Sequence, residues 1–80
     1  MPKERTLELN ARENSLWDSY ESHSWPLNPI TAKVVKDKVR IKVFYERTHS
    51  VSLELTPKAL MEFIQLLHEV KDDLRTELSK

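Results

Sequence analysis

Apolar residues recur along the C-terminal third of the chain at spacings of three and four: Leu60, Phe63, Ile64, Leu67, Val70, Leu74 and Leu78. That is the period of one helical face, so the pattern predicts a long helix. Thr56 is a favoured N-cap for it, and Pro57 suits the first helical position, where a missing N–H costs nothing. At about 100° per residue, the apolar set from Leu66 round to Ile64 covers an arc of about 160°, wider than the ~100° stripe one contact surface needs. The surplus is expected to meet a second subunit. Glu62, Gln65, Glu69, Asp72, Asp73 and Thr76 fill the opposite side and make it acidic.

Ahead of the helix the period changes to two. Val39, Ile41, Val43 and Tyr45 are apolar at odd numbers, and Val51, Leu53 and Leu55 continue at odd numbers after a loop containing Thr48, His49 and Ser50. Two strands are predicted. Residues opposite each other in a hairpin share a face, so pairing Tyr45 with Val51, Val43 with Leu53 and Ile41 with Leu55 requires a loop of odd length, 47–49 or 46–50. The other face then pairs Phe44 with Ser52 and Lys42 with Glu54. Upstream, Ile30, Ala32 and Val34 are apolar at even numbers. A tight turn at Lys36-Asp37 reconciles the two parities by pairing Val34 with Val39, Ala32 with Ile41 and Ile30 with Val43, and a bulge in one long strand is the competing reading.

The first thirty residues are less regular. The stretch from Arg5 to Asn10 alternates around Leu7 and Leu9 and reads as an edge strand, while Ser15-Leu16-Trp17-Asp18 resembles a capping box that opens a short helix through Tyr20. Trp25-Pro26-Leu27-Asn28-Pro29 reads as a non-helical connection, because each proline restricts the residue before it to extended conformations.

Composition narrows the class of protein. Eighty residues give room for one small domain, residues 1–80, and exclude a two-domain enzyme. Without cysteine there is neither a disulfide framework nor a thiolate metal site, so the core holds by packing alone or with help from a partner subunit. No apolar run approaches the ~20 residues of a membrane span, and the start Met-Pro-Lys-Glu-Arg lacks the apolar stretch of a signal peptide. The cytoplasm is the expected compartment. Hydrophobic residues at 39% and charged residues at 32% fit a globular chain rather than a disordered one.

Charge changes the picture more. Lys and Arg equal Asp and Glu at 13 each, yet residues 33 to 48 carry six basic and two acidic side chains, with acidic excess on both sides. An anion would therefore be held by the middle segment. In the register above, Lys33 lies opposite Arg40, with Lys38 and Lys42 along the same row and Phe44 at its end. Like charges directly opposite each other cost stability. A strand pair that keeps them beside an aromatic suits nucleic acid, since cations neutralise phosphates and a ring stacks on a base. The plainer reading is a solvated face whose lysines discourage edge-to-edge aggregation. Trp17, Tyr20, His23 and Trp25 form a second group, either a stacking platform and partner anchor or a cap on an open end of an aliphatic core.

Catalytic constellations are not recognisable. His23, His49 and His68 share no metal-ligand spacing, and the absence of glycine removes phosphate-cradling and oxyanion loops. Glu69, Asp72, Asp73 and Glu77 fall on the solvated helical face. The expectation is a protein that is not an enzyme, with no cofactor, no metal and no small-molecule substrate.

Val39-Arg-Ile-Lys-Val-Phe-Tyr-Glu46, followed by Val51-Ser-Leu-Glu-Leu-Thr-Pro-Lys-Ala-Leu60 and an amphipathic helix, resembles the last strands and helix of the single-stranded-DNA-binding transcriptional coactivators of the positive cofactor four type. The resemblance covers residues 39 to 70, under half the chain. Thr48-His49-Ser50 stands where that family usually has glycine and lysine, and the first two strands of the family have no match. The resemblance implies a homodimer joined through its helices, with Arg40, Lys42 and Phe44 contacting an unpaired strand.

The reading as a whole is an α+β fold, a three- to four-stranded antiparallel meander packed on one long C-terminal helix, with a short N-terminal helix. The expected function is non-catalytic binding of nucleic acid, preferably single-stranded, by a homodimer through Lys33, Lys38, Arg40, Lys42 and Phe44. The alternative is a small regulatory protein-interaction module, an inhibitor or adaptor, that docks through Trp17, Trp25 and Leu66.

Overall fold

The computed structural model describes residues 3–80, so the first two residues of the expected 1–80 domain lie outside the described residues. Strands β1 (Arg5–Leu7), β2 (Ser15–Asp18), β3 (His23–Val35), β4 (Lys38–Tyr45) and β5 (His49–Leu55) precede one helix, α1 (Pro57–Leu78). The fold is α+β: an antiparallel sheet in the order β1-β3-β4-β5, with the helix against β4 and β5. Strand β3 is the spine. Its C-terminal half pairs with β1 through Thr6 and Thr31, its N-terminal half pairs with β2 through Leu16 and Trp25, and β4 runs along its other edge.

Helix α1 starts where the cap predicts. The Thr56 Oγ1 accepts a hydrogen bond from the Ala59 N–H at 3.2 Å, and Pro57 occupies the first helical position. The β3–β4 hairpin also follows the parity argument. Val35 pairs with Lys38 across a Lys36-Asp37 turn, which sets Val34 against Val39, Ala32 against Ile41 and Ile30 against Val43. Lacking glycine, the turn places Lys36 at φ 59°, a left-handed conformation that costs a side chain with a Cβ.

Three expectations are corrected. In the β4–β5 hairpin the loop is 46–48, with Glu46 at φ 51° and Arg47 at φ 69°, so Tyr45 pairs with His49, Val43 with Val51 and Ile41 with Leu53. Parity fixes which face a residue takes but not a slip of two, and the shorter loop puts Glu54 opposite Arg40 rather than Lys42. Ser15–Asp18 is a strand, not the start of a helix. Asp18 Oδ1 accepts from the Tyr20 and Glu21 N–H groups at 2.9 and 3.3 Å, so its carboxylate closes the turn into β3 instead of capping a helix. The segment from Trp25 to Pro29 lies within β3, not in a connection. Its register breaks between Leu27 and Ile30, where the Asn28-Pro29 peptide is cis, and a bulge is where a ladder tolerates proline. The Asn28 Oδ1 accepts from the Leu9 N–H at 2.7 Å, tying the segment after β1 to that bulge.

The pleat sorts the sheet into two faces. Ile30, Ala32, Val34, Val39, Ile41, Val43, Val51, Leu53 and Leu55 share one, and Thr31, Lys33, Lys38, Arg40, Lys42, Phe44, Ser50, Ser52 and Glu54 share the other. Ala59, Leu60 and Phe63, in the first two turns of α1, are half-buried, whereas every helical residue from Ile64 onward is exposed. Among the described residues no apolar side chain is fully buried, and the one buried residue is Thr31 at 6% exposure. No helix among the described residues is long and apolar enough to cross a membrane.

Candidate nucleic-acid interface

Strand alternation carries the even-numbered side chains of β4 to one face, and the Lys36-Asp37 turn brings Lys33 of β3 beside them. Lys33, Lys38, Arg40, Lys42 and Phe44 are thus gathered on a single surface, as the pairing of Lys33 with Arg40 requires. Thr31 and Ser52 flank Lys42 on the neighbouring strands, and Ser50 flanks Phe44. The Lys42 Nζ sits 5.7 Å from the centre of the Phe44 ring, within cation–π range.

Two of the four cations have carboxylate partners that sequence reasoning missed. The Arg40 Nη2 and Nε both donate to Glu54 Oε1, at 2.8 and 3.3 Å. Arg40 holds the Glu54 carboxyl below the usual carboxylate range, first through this hydrogen bond and then through its charge; desolvation opposes the shift, and Lys38 adds to it. The Lys33 Nζ lies 3.9 Å from Glu4 Oε2, a looser pair. Both acids are half exposed, so neither pair is strong enough to lock its cation. Lys38 and Lys42 form no ion pair among the described residues. Glu54 would have been found by trying the register two residues away, since an Arg–Glu match across the ladder outranks a Lys–Glu match in geometry.

The aromatic group divides. His23 and Trp25 meet edge to face at 4.3 Å, Trp25 lies 6.1 Å from Tyr45, and Tyr45 stacks on His49 at 5.4 Å. Trp17 and Tyr20 join none of these ring contacts and are exposed at 60% and 96%. Trp25 and Tyr45 belong to the apolar face, opposite the cations, because the bulge keeps Leu27 in step with Tyr45. They line an open groove of about 550 Å³ with Leu16, Trp17 and Val51, and Asp18, Glu21 and Glu46 belong to the same lining. Carboxylates in the lining repel a phosphate backbone, so the row is unsuited to stacking bases beside these cations. Leu66, the third residue of the expected docking surface, is on the exposed length of α1, away from both aromatic residues named with it.

No family model, no curated protein and no solved structure matches this chain.

Proposed function

We propose that this chain is a non-catalytic nucleic-acid-binding protein, with a preference for single strands, that acts as a homodimer through Lys33, Lys38, Arg40, Lys42 and Phe44. The observation that carries the reading is the convergence of four cations and one aromatic ring on one sheet face, with Lys38 and Lys42 free of ion pairs among the described residues. Lys38 and Lys42 neutralise phosphates, Phe44 offers its ring to a base, and the exposed hydroxyls of Ser50 and Ser52 line the path between them. Arg40 and Lys33 engage only by exchanging their carboxylates for phosphate.

Anisotropy of a labelled single-stranded oligonucleotide at two salt concentrations tests this. With two unpaired cations per protomer, log affinity against log salt is expected to fall with a slope of about −3 for the dimer. The double variant Lys38→Glu, Lys42→Glu abolishes the signal. Absence of binding at low salt with the wild-type chain defeats the proposal.

The exposed stripe of α1 and the acid-edged aromatic groove favour a second reading, a regulatory module that docks on another protein. In that case Trp25→Ala or Leu66→Glu removes function and Arg40→Glu leaves it intact.

A further inference from the structure

Four rings follow one another across the apolar side of the sheet, His23, Trp25, Tyr45 and His49, at centroid spacings of 4.3, 6.1 and 5.4 Å. Trp25 and Tyr45 are half-buried, so part of each ring lies open to the groove of about 550 Å³ that they line. The groove is remote from the start of α1. Tyr45 and Val39, the partner of Leu55 just ahead of the helix, stand at opposite ends of the β4–β5 ladder, about 20 Å of strand apart. No residue of α1 lines the groove, and the cations occupy the other side of the sheet.

Charge in the groove has one sign. Asp18, Glu21 and Glu46 belong to the lining, and no lysine or arginine does. Asp18 and Glu21 form no ion pair among the described residues, and Glu46 meets only His49, at 3.7 Å, a pair that exists only when the imidazole is protonated. Arg47, next in the chain, lines a neighbouring hollow with Pro26 and Asn28 instead. An apolar occupant would strip water from these carboxylates without replacing it, and an anionic one would be repelled. A cation is attracted twice, by the carboxylates and by the π-faces of Trp25 and Tyr45. The same residues set its shape. Two rings tilted at 55° make a corner rather than an enclosing cage, which suits a flat guanidinium laid on a ring better than a rounded ammonium. The fork of N–H donors on that guanidinium then matches a carboxylate beside the ring.

We propose that this groove binds an extended peptide segment of a partner protein that carries arginine at alternate positions. Side chains on one face of an extended chain repeat at about 6.6 Å, close to the 6.1 Å between Trp25 and Tyr45. One guanidinium then lies over Trp25 with Asp18 and Glu21 at that end of the groove, and the next lies over Tyr45 beside Glu46. A small ligand of single charge would leave two of the three carboxylates unanswered, so the source is a peptide. The inference rests on the second of the two readings above, docking on another protein, and fixes the chemistry of that partner. It does not depend on what the cation face binds. Docking through Leu66 of α1 needs no groove, so the peptide can fail while that reading stands.

Titration of a labelled, end-blocked peptide alternating arginine with threonine, read by anisotropy against the purified chain, tests the assignment. Citrulline in place of arginine keeps the shape and removes the charge, and should weaken binding about tenfold; lysine should weaken it about threefold. Trp25→Ala should abolish binding, with circular dichroism confirming that the sheet persists. A second variant spares the packing: Glu21→Gln with Glu46→Gln changes two exposed side chains and should weaken binding about fivefold. Glu69→Gln with Asp73→Asn removes the same charge from the exposed length of α1 and should leave affinity within about twofold. Equal affinity for the arginine and citrulline peptides overturns the proposal. So does an equal loss in the two charge-matched variants, which would mean attraction by net charge alone. Free arginine binding as tightly as the peptide would assign the groove to a small cation and overturn the peptide source.

Discussion

On one face of the sheet Lys33, Lys38, Arg40 and Lys42 stand with Glu4 and Glu54 among them; on the other, Ile41, Val43 and Leu53 form an apolar surface on which Leu53 is still 45% exposed. The first face is complete as it is. Water and exchangeable ion pairs satisfy its charges, and each pair contributes little to stability. The second face is not complete, because apolar area gains nothing until another apolar surface meets it. The proposed recognition surface and the apolar surface thus lie on opposite sides of one thin layer, and substitutions on the two sides should differ in kind.

The largest difference is expected at Phe63. Phe63 is the one half-buried aromatic of α1, and Phe63→Ala should lower stability by about 2 kcal/mol in urea denaturation. On the cation face, Lys42→Ala should stay within about 0.5 kcal/mol by the same measurement while weakening oligonucleotide binding. Comparable losses at the two positions would break the comparison. A smaller effect belongs to the junctions. Thr56→Ala removes the cap on the Ala59 N–H and should cost about 1 kcal/mol, and Lys36→Gly should gain about 1 kcal/mol by relieving the left-handed turn.

The smallest effect on stability, and the most specific, concerns Glu54. Its carboxyl is held below its unfolded value, so its contribution is present above the unfolded pKa and lost as pH falls through the folded one. Glu54→Gln should therefore differ from wild type in thermal stability at neutral pH and converge with it in acid. The same variant frees Arg40, and its salt dependence of oligonucleotide binding should steepen. An unchanged slope would mean that Arg40 takes no part.

Much of this division was legible in residue order. Period-four apolar spacing and the Thr56-Pro57 cap marked α1, and the change of parity between Val34 and Val39 marked the Lys36-Asp37 turn, because both depend on local geometry. The β4–β5 register was not legible, since slips by two preserve every face and only the loop conformation at Glu46 and Arg47 chooses among them. Ser15 to Asp18 misled for a related reason. A carboxylate three residues after a serine suits a helix cap or an Asx turn equally well, and pairing with β3 decides between them. Of the candidate site, the shared surface of the cations followed from alternation and the Lys36-Asp37 turn, whereas the carboxylates come from β5 for Arg40 and from the residue just ahead of β1 for Lys33, and needed the register.

The Glu54 contact with Arg40 also sets a threshold. An anion arriving at that guanidinium must compete with an internal rival already seated there, and a solitary phosphate offers little advantage over it. Under the proposed function, a polymer presenting several charges at once would be retained by Lys38 and Lys42 while the exchange takes place, so the face should discriminate by chain length and ignore mononucleotides.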